Sequence, residues 1–299
     1  MVAFGCQTGV ANTTIDELTS LWRRIEGGPF DWISVWDHFY AADGSTTSNF
    51  EAVSMHTALA MVTSRVRCGA LVYCAGYRHP AVLANAMATI DQLSGGRCEF
   101  GIGAGWALDE YRAYGFPFDD APTRLDIMEE SLRCVIGLLR PTSEEGFTFH
   151  GEHFDMVDAV CDPPPVGPLP IWVGGGGERR SIPLAATYAD GWNVPYISPE
   201  DFAHKCGVLD RAAEDAGRDP SEIRRAVNVG CASDEAALRT QFGEIADFVR
   251  PGVLMGTPGQ IVDAIGRYEE AGADRINLAR RAPFEYGALD LLAEAITSR

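Results

Sequence analysis

This sequence has little lysine and no net positive charge. Lys205 is the single lysine beside 23 arginines, and 42 acidic residues outnumber 24 basic ones, which gives a net charge of −18. Nucleic acids and anionic membrane surfaces bind basic faces, so both are excluded as partners. No run of 18 apolar residues is present, which excludes a transmembrane helix. Any anionic ligand must therefore be held by a local cluster of positive charge.

Paired cysteine motifs and a leader-like amino terminus are also absent. The eight cysteines show no CxxC spacing, and the opening MVAFGCQTGV has no charged region followed by an apolar run. These absences predict a cytoplasmic protein whose reduced thiols serve as small apolar core residues. The preference for arginine over lysine is typical of GC-rich, for example actinobacterial, genomes.

Short apolar runs alternate with helical patterns along the chain. The predicted strands are 3–7, 32–36, 66–73, 98–103, 170–173, 191–194, 224–229 and 275–278. The predicted helices are 15–25, 50–63, 80–93, 123–139, 180–189, 199–216, 235–248 and 258–271. This alternation favours an α/β fold, a (β/α)8 TIM barrel with insertions that forms one domain over residues 1–299. An open doubly wound sheet is the rival, but GIGAGW at 101–106 lacks the GxGxxG spacing and the later acidic residue of a dinucleotide-binding turn.

Four consecutive glycines follow the fifth predicted strand, in the segment VGGGGERR at 173–180. Glycines let backbone amides crowd round an anion, and the helix that follows presents unpaired amides with a partial positive charge. Arg179 and Arg180 can add charge-assisted hydrogen bonds. The segment predicts a phosphate-binding turn. The alternatives are a plain flexible turn, and one arginine that is only surface charge.

Other predicted strand ends carry polar, aromatic and small residues. Asp37 and His38 follow strand two, where an imidazole beside a carboxylate suits proton transfer and a strand-end cap is the alternative. Small residues at the ends of strands three and four indicate a slot for a planar ring, unless they serve loop packing. Trp106 adds an apolar face. Arg78 could bind an anion, and His79 is predicted to cap the helix that begins at residue 80.

Two insertions, at 105–122 and 146–170, interrupt the repeat, and insertions of this length shape a substrate site or a subunit contact. The alternation in FTFHGEHFDM predicts a β-hairpin turning at Gly151. His150, His153 and Asp155 have a spacing that suggests metal, but no further histidine or cysteine cluster supports a metal site. The GxSxG elbow of serine hydrolases is absent.

Taken together, these segments resemble the luciferase-like monooxygenase superfamily, specifically its branch that uses coenzyme F420, an 8-hydroxy-5-deazaflavin. The matching segments are SVWDHF, GALVYCAGYRHPAVLANAMATIDQLSGGR, GIGAGWALDEYRAYGFPF, PIWVGGGGERR and YADGWN, followed more loosely by GTPGQIVDAIGRYEEAGADRINL. The resemblance implies a (β/α)8 barrel, usually a homodimer, that holds the deazaflavin at its carboxyl face.

The resemblance also implies roles for individual residues. His38 would face the ring as proton donor or acceptor, and Leu71 with Val72 would form a strand-three bulge, often with a cis peptide bond. Trp106 stands where relatives that oxidise sugar phosphates have a catalytic glutamate, which argues against glucose 6-phosphate and for an apolar or aromatic substrate. The residues implied to bind the cofactor are Asp37, Leu71, Val72, Cys74, Ala104, Gly105, Asp109, Gly175, Gly176, Gly177, Glu178 and Arg179.

Hydride transfer between F420 and a small organic substrate is the leading hypothesis. The first alternative is a monooxygenase that uses reduced FMN and oxygen, because the glycine turn suits the phosphate of either cofactor. The second is a non-catalytic flavin-binding protein, against which His38 beside Asp37 argues, since storage needs no proton-transfer group. An unrelated sugar-phosphate barrel enzyme would leave the aromatic segment at 105–118 unexplained.

Overall fold

The computed structural model describes residues 2–41, 48–142, 145–284 and 286–299. Its strands are β1 (Ala3–Thr8), β2 (Trp32–Val35), β3 (Arg67–Cys74), β4 (Cys98–Gly103), β5 (Phe147–His150), β6 (Asp155–Ala159), β7 (Ile171–Gly174), β8 (Gly191–Pro195), β9 (Arg224–Ala232), β10 (Val253–Met255) and β11 (Arg275–Arg280). Parallel pairing runs β1, β2, β3, β4, β7, β8, β9, β11 and returns to β1. These eight strands therefore close a parallel barrel, as predicted.

Helices connect the barrel strands and pack outside them. They are α1 (Ile15–Glu26), α2 (Ala52–Val62), α3 (Pro80–Ser94), α4 (Leu108–Tyr114), α5 (Ala121–Leu139), α6 (Ser181–Tyr188), α7 (Pro199–Asp215), α8 (Glu235–Phe242), α9 (Ala246–Val249), α10 (Pro258–Glu270) and α11 (Gly287–Thr297). No helix within the described ranges is long and apolar enough to cross a membrane.

The eight predicted barrel strands are all present, with ends that differ by at most a few residues. The prediction of one continuous helix over 235–248 is wrong, because Gly243 takes a φ of 54° and ends α8. Sequence patterns missed α4, α11 and β10, of which α4 lies within the insertion interpreted as an aromatic loop. The 3-residue strand β10 pairs with the end of β9, outside the closed barrel.

Side-chain caps place helix starts at the carboxyl rim of the barrel, where the strand-to-helix loops lie. Thr14 and Glu17 form a reciprocal capping box at the start of α1. The His79 ring accepts a hydrogen bond from the Ala81 amide at 3.2 Å, and Pro80 occupies the first turn of α3. The predicted cap at His79 is therefore confirmed.

A charged and aromatic plug fills the amino-terminal end of the barrel. Arg275 on β11 donates to the Glu99 carboxylate on β4 at 2.8 and 3.1 Å, a contact that crosses the barrel interior. The Arg275 guanidinium lies 4.8 Å from the ring centre of Trp32 and 4.7 Å from that of Trp172. Leu71 and Val72 pack in the same cluster as these tryptophans. The plug closes one end of the barrel, so a ligand can enter only from the other.

The second insertion folds as the predicted hairpin of β5 and β6. The Gly151 amide donates to the Phe154 carbonyl at 2.9 Å, which closes the turn. His150 is bound to Asp155 at 2.6 Å. Within the described residues no group of three or more metal-ligating side chains comes together.

Candidate active site

A cavity of about 700 Å³ lies at the carboxyl end of the barrel, where the loops after the strands meet. The sequence-predicted residues that border it are Asp37, His38, Leu71, Val72, Cys74, Ala104, Gly105, Trp106 and Gly175. Asp109 is exposed on α4 and lies outside the border. The other predicted residues outside it belong to the glycine turn and are Gly176, Gly177, Glu178 and Arg179.

Glu110, which sequence analysis did not select, orients His38. The Nδ1 atom of His38 lies 2.8 Å from Oε1 of Glu110, whose side chain is 3% exposed. Its Oε2 atom accepts hydrogen bonds from the Tyr77 hydroxyl at 2.7 Å and from the Phe39 amide at 3.1 Å. Burial raises the pKa of Glu110, but the hydrogen bonds, led by that of His38, shift it below its ordinary value. An ionised carboxylate only accepts, so Nδ1 carries a hydrogen and Nε2 is the atom available to a ligand.

Asp37 is bound into the wall of the cavity. Its carboxylate accepts two hydrogen bonds from the Arg78 guanidinium, at 2.7 and 3.0 Å, and one from the Cys74 amide at 2.9 Å. Arg78 also donates to Glu51 at 2.5 Å. Arg78, considered above as an anion ligand, is thus already paired with two carboxylates. Asp37 borders the cavity, and its contact with a cofactor stays a prediction.

Strand β3 carries the predicted bulge. The register with β4 is interrupted on either side of Leu71 and Val72, and the peptide bond between them is cis. Val72 points into a niche that glycines leave open. A Cβ atom on Gly103 would lie 2.7 Å from Cγ2 of Val72, and one on Gly174 would lie 2.7 Å from Cγ1. The glycines at the ends of β4 and β7 therefore make room for the bulge.

Tyr111 explains two further small residues. A Cβ atom on Gly76 or Gly105 would collide with the Tyr111 hydroxyl, which lies 3.0 Å from the Cys74 sulfur. Burial raises the pKa of Cys74 to about 12, so its thiol stays protonated and is not a nucleophile. Gly76 and Gly105 are therefore explained by packing against Tyr111, which is the alternative given above to a slot for a planar ring. Ala104 and Gly105 still border the cavity, where a flat ligand can approach.

The glycine turn joins β7 to α6. Gly175 has a φ of 134°, a conformation that favours glycine, and its amide donates to the Asn193 carbonyl at 3.0 Å. The Gly177 carbonyl accepts from the Ile182 amide at 3.0 Å, so the turn folds onto the start of α6. Gly176 and Gly177 follow Gly175 in the chain and lie outside the border of the cavity. The Gly175 amide is thus engaged within the barrel, and binding of an anion by the rest of the turn stays a prediction.

Charged side chains near the turn differ in their availability. Arg180 pairs with two carboxylates of α5, at 2.5 and 3.4 Å. Lys205 donates to the Glu178 carboxylate at 3.1 Å, and this hydrogen bond lowers the pKa of Glu178. Arg179 is exposed and makes no ion pair with any residue that the structure describes. Arg180 is thus the arginine that serves as surface charge, the alternative given above, and binding of an anion by Arg179 stays a prediction.

The mouth of the cavity is largely aromatic. Trp106 is 62% exposed, and its ring meets that of His38 edge-on at 5.4 Å. Phe248 is 68% exposed and also borders the cavity. The Arg281 guanidinium lies 5.2 Å from the ring centre of Trp36. A ligand in the mouth would therefore contact apolar rings with one cation nearby.

Sequence reasoning also missed the polar side chains of the cavity floor. Gln7, Asn193 and Asn228 border the cavity from β1, β8 and β9. A detectable signal existed, because each amide lies within a predicted barrel strand whose other residues are mostly apolar. For Glu110 the pattern holds no comparable signal, because the segment 105–122 is interpreted as a loop and not as the helix α4 that carries this side chain.

Comparison with known proteins agrees with this geometry. Residues 1–249 match the family model described as luciferase-like monooxygenase. The F420-dependent glucose-6-phosphate dehydrogenase of Kineococcus radiotolerans is 34% identical over 210 residues, and the match spans 68% of this chain but only 59% of that protein. The fold is similar to that of an F420-dependent secondary alcohol dehydrogenase solved with an F420-acetone adduct (TM-score 0.88, 21% identity, 99% of this chain and 98% of that one). It is also similar to a long-chain alkane monooxygenase (TM-score 0.81, 16% identity, 100% of this chain and 91% of that one). The chain belongs to the luciferase-like monooxygenase family.

Proposed function

We propose that this chain is an oxidoreductase that uses coenzyme F420 and transfers a hydride between the deazaflavin and a small, apolar or aromatic organic substrate. The observation that carries the proposal is the cavity whose border combines an oriented His38, the β3 bulge and Gly175 of the glycine turn. Two of the similar proteins, the glucose-6-phosphate dehydrogenase and the alcohol dehydrogenase, are named as F420-dependent, which supports the choice of cofactor.

The residues present fit a tricyclic cofactor with a phosphate-bearing tail. Ligand pockets usually measure about 300 to 1,000 Å³, and this cavity of about 700 Å³ lies within that range. Leu71 and Val72 would back the ring, while the amides of Gly176 and Gly177 and the Arg179 guanidinium would hold the phosphate. When bound, the deazaflavin would supply a ring carbon that accepts or donates a hydride.

His38 would hold and move the proton that accompanies the hydride. Glu110 fixes the ring through Nδ1, so Nε2 can give a proton to a substrate carbonyl or take one from a hydroxyl. Trp36 and Trp106 flank the imidazole, at 6.2 and 5.4 Å between ring centres, and would keep water from it. This arrangement is what separates an enzyme from a flavin-storage protein.

The aromatic mouth supports an apolar or aromatic substrate. Trp106 and Phe248 offer broad, exposed apolar faces at the opening. By the resemblance given above, relatives that oxidise sugar phosphates have a glutamate in place of Trp106. Hexose phosphates would therefore lack their acid or base in this site, and we expect glucose 6-phosphate to be a poor substrate.

An FMN-dependent monooxygenase is the alternative function. The fold is similar to that of the alkane monooxygenase, with a TM-score of 0.81. This similarity favours the monooxygenase function, because the same barrel serves both reactions. The glycine turn and Arg179 would bind the phosphate of either cofactor. The two functions are distinguished by whether the cavity binds the deazaflavin ring of F420 or the flavin ring of FMN.

Titration of the purified protein with F420 and, separately, with FMN tests the proposal. Quenching of deazaflavin fluorescence at micromolar concentrations, without comparable FMN binding, is the expected result. Tight FMN binding together with substrate-dependent oxygen consumption would establish the alternative. Binding of either cofactor without turnover on any carbonyl, alkene or alcohol substrate would indicate a storage protein.

We also propose that the protein is a homodimer, as the resemblance implies. Met61 on α2 and Val82 and Leu93 on α3 are exposed apolar side chains on two adjacent helices. A second copy of the chain would cover them. Light scattering should give twice the chain mass of 32.3 kDa, and a monomer at assay concentrations would refute the proposal.

A further inference from the structure

A relay of side-chain amides crosses the barrel beneath the cavity. Asn277 on β11 donates to Oδ1 of Asn228 on β9 at 3.1 Å, and Asn228 donates to Oε1 of Gln7 on β1 at 3.0 Å. The Gln7 amide in turn donates to the backbone carbonyl of Leu71 in the β3 bulge. Four barrel strands are thus joined through their interior by three consecutive hydrogen bonds.

The Leu71 carbonyl fixes the polarity of this relay. A carbonyl oxygen only accepts, so Gln7 must turn its Nε2 toward Leu71 and its Oε1 toward Asn228. Asn228 must then present Nδ2 to Gln7 and Oδ1 to Asn277. Asn228 is 3% exposed and Asn277 is 1% exposed, so the hydrogen bond between these two amides is shielded from bulk water. Gln7 and Asn228 therefore each have one orientation that satisfies their neighbours, whereas Asn277 donates through Nδ2 and its buried Oδ1 atom has no partner among the described residues.

Packing constrains the remainder of the bulge. The Leu71 and Val72 side chains pack with Trp32 and Trp172 of the plug. The Val72 side chain also fills the niche left by glycines of β4 and β7. Packing of this kind limits where the side chains lie, but it holds the backbone carbonyl less firmly than a directional hydrogen bond does. Gln7 supplies the directional contact to that carbonyl.

We propose that Gln7, held by Asn228 and Asn277, is a positioning residue that sets the height and tilt of the β3 bulge against which the redox ring rests. The inference rests on the proposed function, because it assigns a role in holding the ring of that cofactor. Loss of the relay would let the bulge shift within the barrel. A displacement of about 1 Å at a reacting centre can lower a rate by on the order of a hundredfold.

Two substitutions at Gln7 separate positioning from folding. Gln7→Leu removes both hydrogen bonds, while Gln7→Glu keeps an acceptor for Asn228 but loses the donor to Leu71. We expect either variant to lower kcat about tenfold or more, to weaken cofactor binding about threefold to tenfold, and to shift the visible absorption of the bound ring. KM for the organic substrate should change less than kcat, because the aromatic mouth is intact.

A double-mutant cycle that combines Gln7→Leu with Asn228→Asp tests the relay itself. The Asn228→Asp variant keeps the acceptor for Asn277 but cannot donate to Gln7, so its effect on kcat should have the same sign and be smaller. The double variant Gln7→Leu/Asn228→Asp should be less than additive, since both changes interrupt one chain of contacts. Additive effects would contradict a relay.

Gln92→Leu is the matched control. Gln92 on α3 donates to the Pro164 carbonyl at 2.7 Å and is exposed on the surface, so its variant loses the same kind of hydrogen bond away from the cavity. We expect wild-type kcat and an unchanged spectrum of the bound ring. If folded Gln7 variants keep the wild-type spectrum and kcat and lose only thermal stability, Gln7 is structural and the inference fails. If the wild-type protein binds no redox ring, the proposed function fails first, and the titration shows this before any variant is made.

Discussion

His38 illustrates how a single residue acquires its chemistry from its neighbours. Its Nδ1 is occupied by a carboxylate that is itself held by a hydroxyl and a backbone amide. The ring therefore has one tautomer and one orientation before any ligand arrives. Replacement of His38 by alanine should lower turnover by about 10² to 10⁴-fold while the cofactor affinity stays within about threefold. Steady-state kinetics with parallel fluorescence titration measures both, and full turnover in this variant would remove His38 from the mechanism.

Glu110→Gln tests the orientation of that imidazole. The glutamine can place its amide NH2 opposite Nδ1 and so favour the tautomer in which Nε2 carries the hydrogen, which reverses the role of the ring. We expect kcat to fall on the order of a hundredfold with little change in cofactor affinity. Tyr77→Phe, which removes only the hydroxyl contact at 2.7 Å, should have a much smaller effect. The protonation state of the His38 nitrogens, followed by NMR, would show the tautomer directly, and an unchanged tautomer with lowered kcat would contradict this account.

The β3 bulge and its glycine niche act at the scale of an element. Gly103→Ala places a Cβ atom 2.7 Å from Cγ2 of Val72, so either the side chain or the bulge must move. We expect stability to fall by about 1 to 3 kcal/mol, with a loss of cofactor affinity. Gly103→Ala combined with Val72→Ala should recover part of both losses, because it vacates the niche. Gly259→Ala on α10, where a Cβ atom meets no neighbour, is the control and should be neutral or slightly stabilising by denaturant unfolding.

The turn between β7 and α6 contains two arginines with different surroundings. Arg179 is exposed without an ionic partner among the described residues, whereas Arg180 is engaged with α5. Arg179→Gln should weaken cofactor binding about tenfold, as expected for loss of a charge-assisted hydrogen bond to phosphate. Arg180→Gln should leave the affinity nearly unchanged, since its exposed ion pairs contribute at most about 1 kcal/mol to stability. Fluorescence titration at two salt concentrations compares the variants, and equal losses in both would show that the assignment to Arg179 alone is wrong.

At the scale of the whole molecule, the plug at the amino-terminal end of the barrel contributes to acid stability. Glu99 is 1% exposed and is bound by Arg67 at 2.6 Å and by Arg275. Burial raises the pKa of Glu99, but the guanidinium groups, Arg275 first, lower it from 4.5 to about 2. A carboxyl group whose pKa is lower in the folded than in the unfolded protein contributes its full stabilisation at pH values above the unfolded-state pKa. That contribution, about 3 kcal/mol, should be lost as the pH falls from about 4.5 towards 2.

Urea unfolding at pH 7, 4.5 and 3 measures this contribution. Glu99→Gln leaves buried guanidinium groups uncompensated, so it should cost about 3 to 5 kcal/mol at pH 7 and flatten the dependence on acid pH. Glu235→Gln, which removes an exposed carboxylate paired with Arg239 and Arg250, should leave the urea midpoint at pH 7 nearly unchanged. An acid dependence that is unchanged in Glu99→Gln would place the titrating group elsewhere.

The amino-acid sequence by itself determined the barrel and the general location of its site. Alternating apolar runs and helical patterns define eight strands, and the cap at His79 and the hairpin turning at Gly151 follow from local chemistry. Interactions between neighbours in the chain leave such signals because their spacing is fixed by the geometry of helices and strands. The resemblance to the luciferase-like family added the bulge at Leu71 and Val72.

Tertiary structure alone decided which partner each functional group has. The pairing of His38 with Glu110 spans 72 positions, and the amide contact between Gln7 and Asn228 spans 221. By sequence alone, the glycines of β4 could make room either for a ligand or for a side chain. In the structure, Gly103 makes room for the Val72 side chain. These outcomes depend on barrel closure, which brings the interior faces of distant strands together, and no periodicity along the chain encodes that juxtaposition.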